Sequence, residues 1–193
     1  MDQSTRSLRR AADQGNAEAQ LTLGECYELG VDVAQDYDKA ARLYGQAAAQ
    51  GNAGAQCNLG VLYYQGEGVS QDSAEAARLY GLAAAQGEAA AQHSLGLLYY
   101  QGEGVSKDFA EAARLFWLAV AQGDGKAREA LAKLSSERAY VSVCCMGCGA
   151  TRKLKSCSRC KVARFCSDEC QRRTWAEHKP HCKRWEAEAA EKP

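Results

Sequence analysis

AGAQCNLGVLYYQGEGVSQDSAEAARLYGLAAAQGE, residues 53–88, runs directly into AAAQHSLGLLYYQGEGVSKDFAEAARLFWLAVAQGD, residues 89–124, and the two segments agree at 26 of 36 positions. Chance does not produce such agreement, so the chain carries an internal repeat. The period extends toward the N-terminus. Gly15, Gly51, Gly87 and Gly123 are spaced by it, as are Gly24, Gly60 and Gly96, and Tyr27, Tyr63 and Tyr99. Full units therefore occupy 17–52, 53–88 and 89–124.

Each unit reads as two helices. The first spans about Ala17 to Glu28, with Ala19, Leu23, Gly24 and Tyr27 recurring at helical spacing. Gly30, Gly66 and Gly102 stop it, as glycine just past a helix end does. The loop Gly66-Glu67-Gly68-Val69 returns as Gly102-Glu103-Gly104-Val105, but as Gly30-Val31-Asp32-Val33 in the first unit. Asp72 with Glu75, and Asp108 with Glu111, match a capping box, in which the Asp covers orphan N–H groups and the Glu reaches back. The second helix then buries Ala76, Leu79, Tyr80 and Ala83, repeated as Ala112, Leu115, Phe116 and Ala119. Gly60 sits inside a helix, where glycine costs about 1 kcal/mol relative to alanine. Its recurrence predicts a close helix contact, against Ala76 of its own unit. Neither helix buries its apolar face alone, so the units stack into an α-α solenoid. Leu8, Ala11 and Ala12 align with a second helix and Gly125 to Leu134 with a first, which makes half units at both ends.

The recurring tyrosines read as core or packing between units. Cys57 aligns with His93 and Leu21, which argues against a ligand or nucleophile at that position. The recurrent Gln20, Gln56 and Gln92 read as surface residues, along a groove if they bind anything. Ala-x-x-x-Leu-Gly-x-x-Tyr, then Gly-x-Gly-Val, then Asp-x-x-x-Ala-x-x-Leu-Tyr-x-x-Ala-Ala-x-Gln-Gly resembles the Sel1-like repeat, a relative of the tetratricopeptide repeat, over about residues 7–134. The resemblance implies a scaffold whose curved surface docks other proteins.

Charge divides the chain. Its 24 basic side chains balance 24 acidic ones, but residues 1–140 hold 12 basic and 18 acidic groups and residues 141–193 hold 12 and 6. Two modules with different tasks follow. A hydrophobic content of 46% with 25% charged residues describes a soluble globular protein. No stretch approaches the roughly 18 to 20 apolar residues of a membrane span. Met1-Asp2-Gln3-Ser4-Thr5-Arg6 lacks the apolar core of a secretory signal, so a cytoplasmic or nuclear location is expected.

Eight of the ten cysteines crowd between Cys144 and Cys182. In a reducing compartment such a cluster binds metal more often than it forms disulfides. The spacing is Cys145-x2-Cys148, eight residues, Cys157-x2-Cys160, five residues, Cys166-x3-Cys170, seven residues, His178-x3-Cys182. Four ligand pairs make two tetrahedral sites, and thiolate with imidazole suits structural zinc, which leaves no open position for catalysis. His181 competes with His178, but its neighbour Cys182 leaves too little chain for both to face one ion. Cys144 is a spare that makes an x3 spacing with Cys148 but none of use with Cys145, and it is left out of the ligand set. With Val162, Phe165 and Trp175 as its main apolar residues, this segment is expected to unfold when zinc is removed.

Phe165-Cys166-Ser167-x2-Cys170-Gln171-x3-Trp175-x2-His178-Lys179-x2-Cys182 resembles the MYND-type zinc finger. The resemblance implies a cross-braced arrangement of two zinc ions per chain, with Cys145, Cys148, Cys166 and Cys170 on one and Cys157, Cys160, His178 and Cys182 on the other. It also implies capture of short Pro-x-Leu-x-Pro segments, for which Ser158, Gln171 and Trp175 match the family's peptide groove. An extended proline segment loses little entropy on docking, and an aromatic face accepts its rings. Trp175 alternatively fills the small core.

The expected organisation is a mainly α solenoid over 1–138, a zinc finger over 139–182 and a short helical tail over 183–193. The expected function is a monomeric adaptor, its solenoid gripping one protein and its finger a proline-rich segment of another, with no catalytic residue. Some MYND proteins are lysine methyltransferases, but those carry a separate catalytic domain for which no signature is visible here. A ubiquitin ligase component is another alternative. So is a transcriptional or chromatin regulator whose basic module contacts nucleic acid. Seven thiolates and two zinc ions reduce that module's formal charge to about +3, however, and no recognition helix stands out, so nucleic acid is not the expected partner.

Overall fold

The structure, a computed structural model, describes residues 3–136 and two short segments, 155–156 and 164–165. Eight helices are present among the described residues: α1 (Gln3–Asp13), α2 (Ala17–Leu29), α3 (Tyr37–Ala49), α4 (Ala53–Gln65), α5 (Ser73–Ala85), α6 (Ala89–Gln101), α7 (Phe109–Ala121) and α8 (Gly125–Ser136). The chain divides into two compact units, residues 1–106 and 107–193. Within the first, each helix from α1 to α6 packs on the next in sequence, which is solenoid stacking. Within the second, α7 packs on α8.

Local chemistry sets the helix boundaries. Asn16 and Asn52 accept from the N–H groups of Ala19 and Ala55 at 2.8 and 2.9 Å, starting α2 and α4. Asp36 accepts from Lys39, and Asp72 from Ala74 and Glu75, starting α3 and α5. Such a cap contributes about 1 kcal/mol. Glu88 stands at the start of α6 with no side-chain cap bond. Gly66 and Gly102, with φ of 77° and 79°, end α4 and α6 in the left-handed conformation and donate to Leu62 and Leu98 at 2.8 Å.

The Asp half of the expected capping box is present and the Glu half is absent. The Asp72 N–H already donates to the Tyr63 carbonyl at 2.9 Å, which leaves Glu75 nothing to reach back for. Its carboxylate instead takes both arms of the Arg78 guanidinium, at 2.8 and 2.6 Å, and Glu111 takes Arg114 in the same way.

The predicted stripe of Ala76, Leu79, Tyr80 and Ala83 is buried, and so is its counterpart Ala112, Leu115, Phe116 and Ala119. Alanines at the contacts, such as Ala40, Ala47 and Ala55, let helix backbones approach closely. In the N-terminal half unit, Ala12 is buried while Leu8 and Ala11 pack against the core; in the C-terminal one, Ala127, Leu131 and Leu134 are buried. Gly60 does mark a close approach, but to Tyr80 and not Ala76. A Cβ at Gly60 would lie 2.8 Å from the Tyr80 ring, and one at Gly24 would lie 2.6 Å from Tyr44. The glycine makes room for a large aromatic ring from the second helix, whereas a neighbouring alanine would have left space.

Gln20, Gln56 and Gln92 are buried, contrary to their expected surface position. Gln56 donates to the Ala48 carbonyl of the preceding unit at 3.2 Å and accepts from Gln86 at 2.8 Å. Gln20 makes the matching bonds to Ala12 and from Gln50, and Gln92 donates to Ala84. The buried amide finds its own partners there and staples successive units, adding a second donor to a helix-end carbonyl that already accepts a backbone N–H.

Candidate functional site

Two regions carry candidate chemistry, one at the first repeat and one in the cysteine-rich segment. At the first repeat, residues from α1, α2, α3 and the loop before α3 line a cleft of about 520 Å³. Its floor is apolar, formed by Leu23, Tyr27 and Leu43, all buried. Its walls carry Arg9, Lys39 and Arg42 against Asp13 and Asp36. Arg9 donates to the Tyr27 hydroxyl at 2.6 Å. Lys39 lies 2.6 Å from the Asp36 carboxylate and 5.3 Å from the centre of the Tyr27 ring. The bond and charge of Lys39 hold the Asp36 carboxyl below its ordinary range, and Asp36 raises Lys39 in return, so both stay charged at neutral pH. Sequence reasoning passed over this site, although position 39 offered a signal: a lysine stands where the later units have Glu75 and Glu111.

The two cysteines of the repeats are built for packing. Cys57 is buried, and burial foremost, with Glu88 adding to it, pushes its thiol up to about 12. Burial and the charges of Asp32 and Glu25 raise Cys26 as well. Both shifts are opposite to those of a reactive thiolate. The Tyr44 phenol, buried and donating to Glu28 at 2.5 Å, is likewise held protonated.

In the cysteine-rich segment, β1 (Lys155–Ser156) pairs antiparallel with β2 (Arg164–Phe165), Lys155 opposite Phe165 and Ser156 opposite Arg164. The expected ligands Cys145, Cys148, Cys157, Cys160, Cys166, Cys170, His178 and Cys182 lie outside the described residues, as do Ser158, Gln171 and Trp175. The donor set itself, seven thiols and one imidazole in pairs, fits zinc.

Comparison with known proteins finds family matches for the repeats and for the cysteine-rich segment. The Sel1 repeat model matches residues 17–52, 53–88 and 89–124, and the MYND finger model matches residues 145–182. A MYND finger is a zinc-binding module. Among solved structures, a Sel1 repeat protein from Oxalobacter formigenes is 36% identical with a TM-score of 0.62, over 68% of this chain and 99% of that one. A protective antigen of uropathogenic Escherichia coli strains displaying an SLR fold is 40% identical with a TM-score of 0.65, over 67% of this chain and 28% of that one. The human histone-lysine N-methyltransferase SMYD3 is 52% identical over 31 residues, 16% of this chain. The chain spans only 7% of that enzyme's length. The repeat match covers more than half of the residues, and the chain belongs to the Sel1 repeat family, with a MYND finger following its three repeats.

Proposed function

We propose that the chain is an adaptor that joins two proteins, the solenoid docking one and the finger taking a proline-rich segment of the other. The observation that carries this reading is the presence of two protein-interaction modules, 17–124 and 145–182, on one chain. Three strongly shifted groups of the repeats support it further. Cys57, Tyr44 and Tyr80 are all held in their protonated forms, chiefly by burial, which suits a scaffold and not an acid, base or nucleophile. Histone methylation, the activity in the name of SMYD3, forms no part of the proposal, because the match reaches so little of that protein.

The finger would hold two zinc ions. Cys145, Cys148, Cys166 and Cys170 would take one, and Cys157, Cys160, His178 and Cys182 the other. Zinc supplies cross-links that replace the hydrophobic core a segment this short lacks. Trp175 would present its face to a proline ring, with Ser158 and Gln171 beside it.

The test is a titration of fluorescent Pro-x-Leu-x-Pro peptides against the zinc-loaded full chain, with metal content measured on the same sample. Micromolar binding that disappears in Trp175→Ala, on a protein with two zinc ions, is expected. A folded, fully loaded chain that binds none of the peptides would remove the finger's part of the proposal.

A further inference from the structure

The repeats differ from one another at the cleft. In the second and third units Glu75 and Glu111 grip Arg78 and Arg114 with paired bonds. The first unit has Lys39 at that position, so the equivalent Arg42 has lost its carboxylate and makes no hydrogen bond or ion pair among the described residues. Lys39 turns back to Asp36 instead. Arg9, in the half unit ahead of the first, is a second departure, since Gly45, Gly81 and Trp117 stand in its register in the three full units. Both changes add a cation to the same cleft, over a floor that accepts an apolar side chain.

We propose that this cleft docks an acidic segment of a partner protein, an Asp or Glu carboxylate of the partner taking the place beside Arg42 that Glu75 holds beside Arg78. This deepens the reading of the solenoid as a protein-docking module and rests on it. A planar guanidinium grips a carboxylate through two parallel bonds, and the neighbouring unit shows that geometry at 2.6 and 2.8 Å. Arg9 and Lys39 reinforce the attraction. Asp36 is committed to Lys39 and to the start of α3, whereas Asp13 opposes the incoming charge. These two acidic walls favour a singly charged carboxylate over a phosphate, which carries close to two charges at neutral pH.

Fluorescence anisotropy of the zinc-loaded full chain tests the assignment. The probe is a fluorescein-labelled peptide of about ten residues alternating Glu with Leu and Ser, and the control has Gln for every Glu. The Glu peptide should bind, more weakly as salt rises, and the Gln peptide should not. Arg42→Glu, at an exposed position, should weaken binding roughly tenfold or more. Lys39→Glu should do the same by giving Arg42 an internal partner, and Asp13→Asn should tighten binding. Equal affinity for the Glu and Gln peptides, or an Arg42→Glu protein of unchanged affinity, would overturn the proposal. So would stronger competition from a phosphoserine peptide or a single-stranded oligonucleotide. Measuring the proline peptide on the same samples separates the readings. A chain that binds it but not the Glu peptide loses only the cleft assignment, and a chain that binds neither loses the adaptor reading as well.

Discussion

Residues 17–52 and 53–88 build the same pair of helices around shared framework contacts. In each, a glycine of the first helix admits a tyrosine ring of the second, a buried glutamine bonds to the previous helix end, and an aspartate caps the second helix. They part company where side chains face solvent or a neighbouring unit. Lys39 stands against Glu75, and Gly30-Val31-Asp32-Val33 against Gly66-Glu67-Gly68-Val69. Positions that agree therefore report framework geometry, and positions that differ report what each unit does for its surroundings.

The largest expected effect breaks the symmetry at the loop. Gly68 has φ 66°, and a Cβ there would lie 2.3 Å from the Tyr37 carbonyl carbon, against rigid backbone. Gly68→Ala should cost about 3 kcal/mol in urea or thermal unfolding, through clash and left-handed strain together. Asp32 already holds φ 60° with a side chain in place, so Asp32→Ala should cost less than about 1 kcal/mol. Equal losses at the two positions would show that the loops are equivalent after all.

A smaller effect should be symmetric. Gln56→Leu removes the bond to Ala48 and one acceptor of the exposed Gln86 amide, and Gln20→Leu does the same to Ala12 and Gln50. Each should cost about 1 to 2 kcal/mol in chemical denaturation. A glutamine whose loss is neutral would not be a staple. The smallest effect has the opposite sign. Glu88→Asn places at α6 the cap that Asn16 and Asn52 supply to α2 and α4, and should raise stability by about 0.5 to 1 kcal/mol, read as a higher melting temperature. Unchanged or lowered stability would mean that α6 starts differently from its two counterparts.

Much of this architecture was legible in the residues. The period, the glycine stops, the aspartate caps and the buried stripe around Tyr80 all depend on neighbours within one helix turn or one loop. Three details were not legible, for a common reason. Glu75 bonds to Arg78 because the Tyr63 carbonyl had already taken the Asp72 N–H. Gly60 faces Tyr80 and not Ala76 because the crossing of α4 and α5 decides which side chain arrives. Gln56 is buried because it packs under the end of α3, where the Ala48 carbonyl accepts its amide as a further donor beside the Gly51 N–H. In the cysteine-rich segment the MYND match was readable directly, since metal donors announce themselves by type and interval.

The amino-acid sequence by itself determined the repeat, its helices, the Sel1 family and the MYND match, because each is written as a local interval along the chain. Only the tertiary structure decided which distant groups meet. Arg9, Tyr27 and Lys39 come from three different helices, and no interval places them around one cleft with Arg42. Helix docking does so, because the small residues at the contacts set how closely and at what angle the backbones approach, and that angle selects the side chains that share a wall.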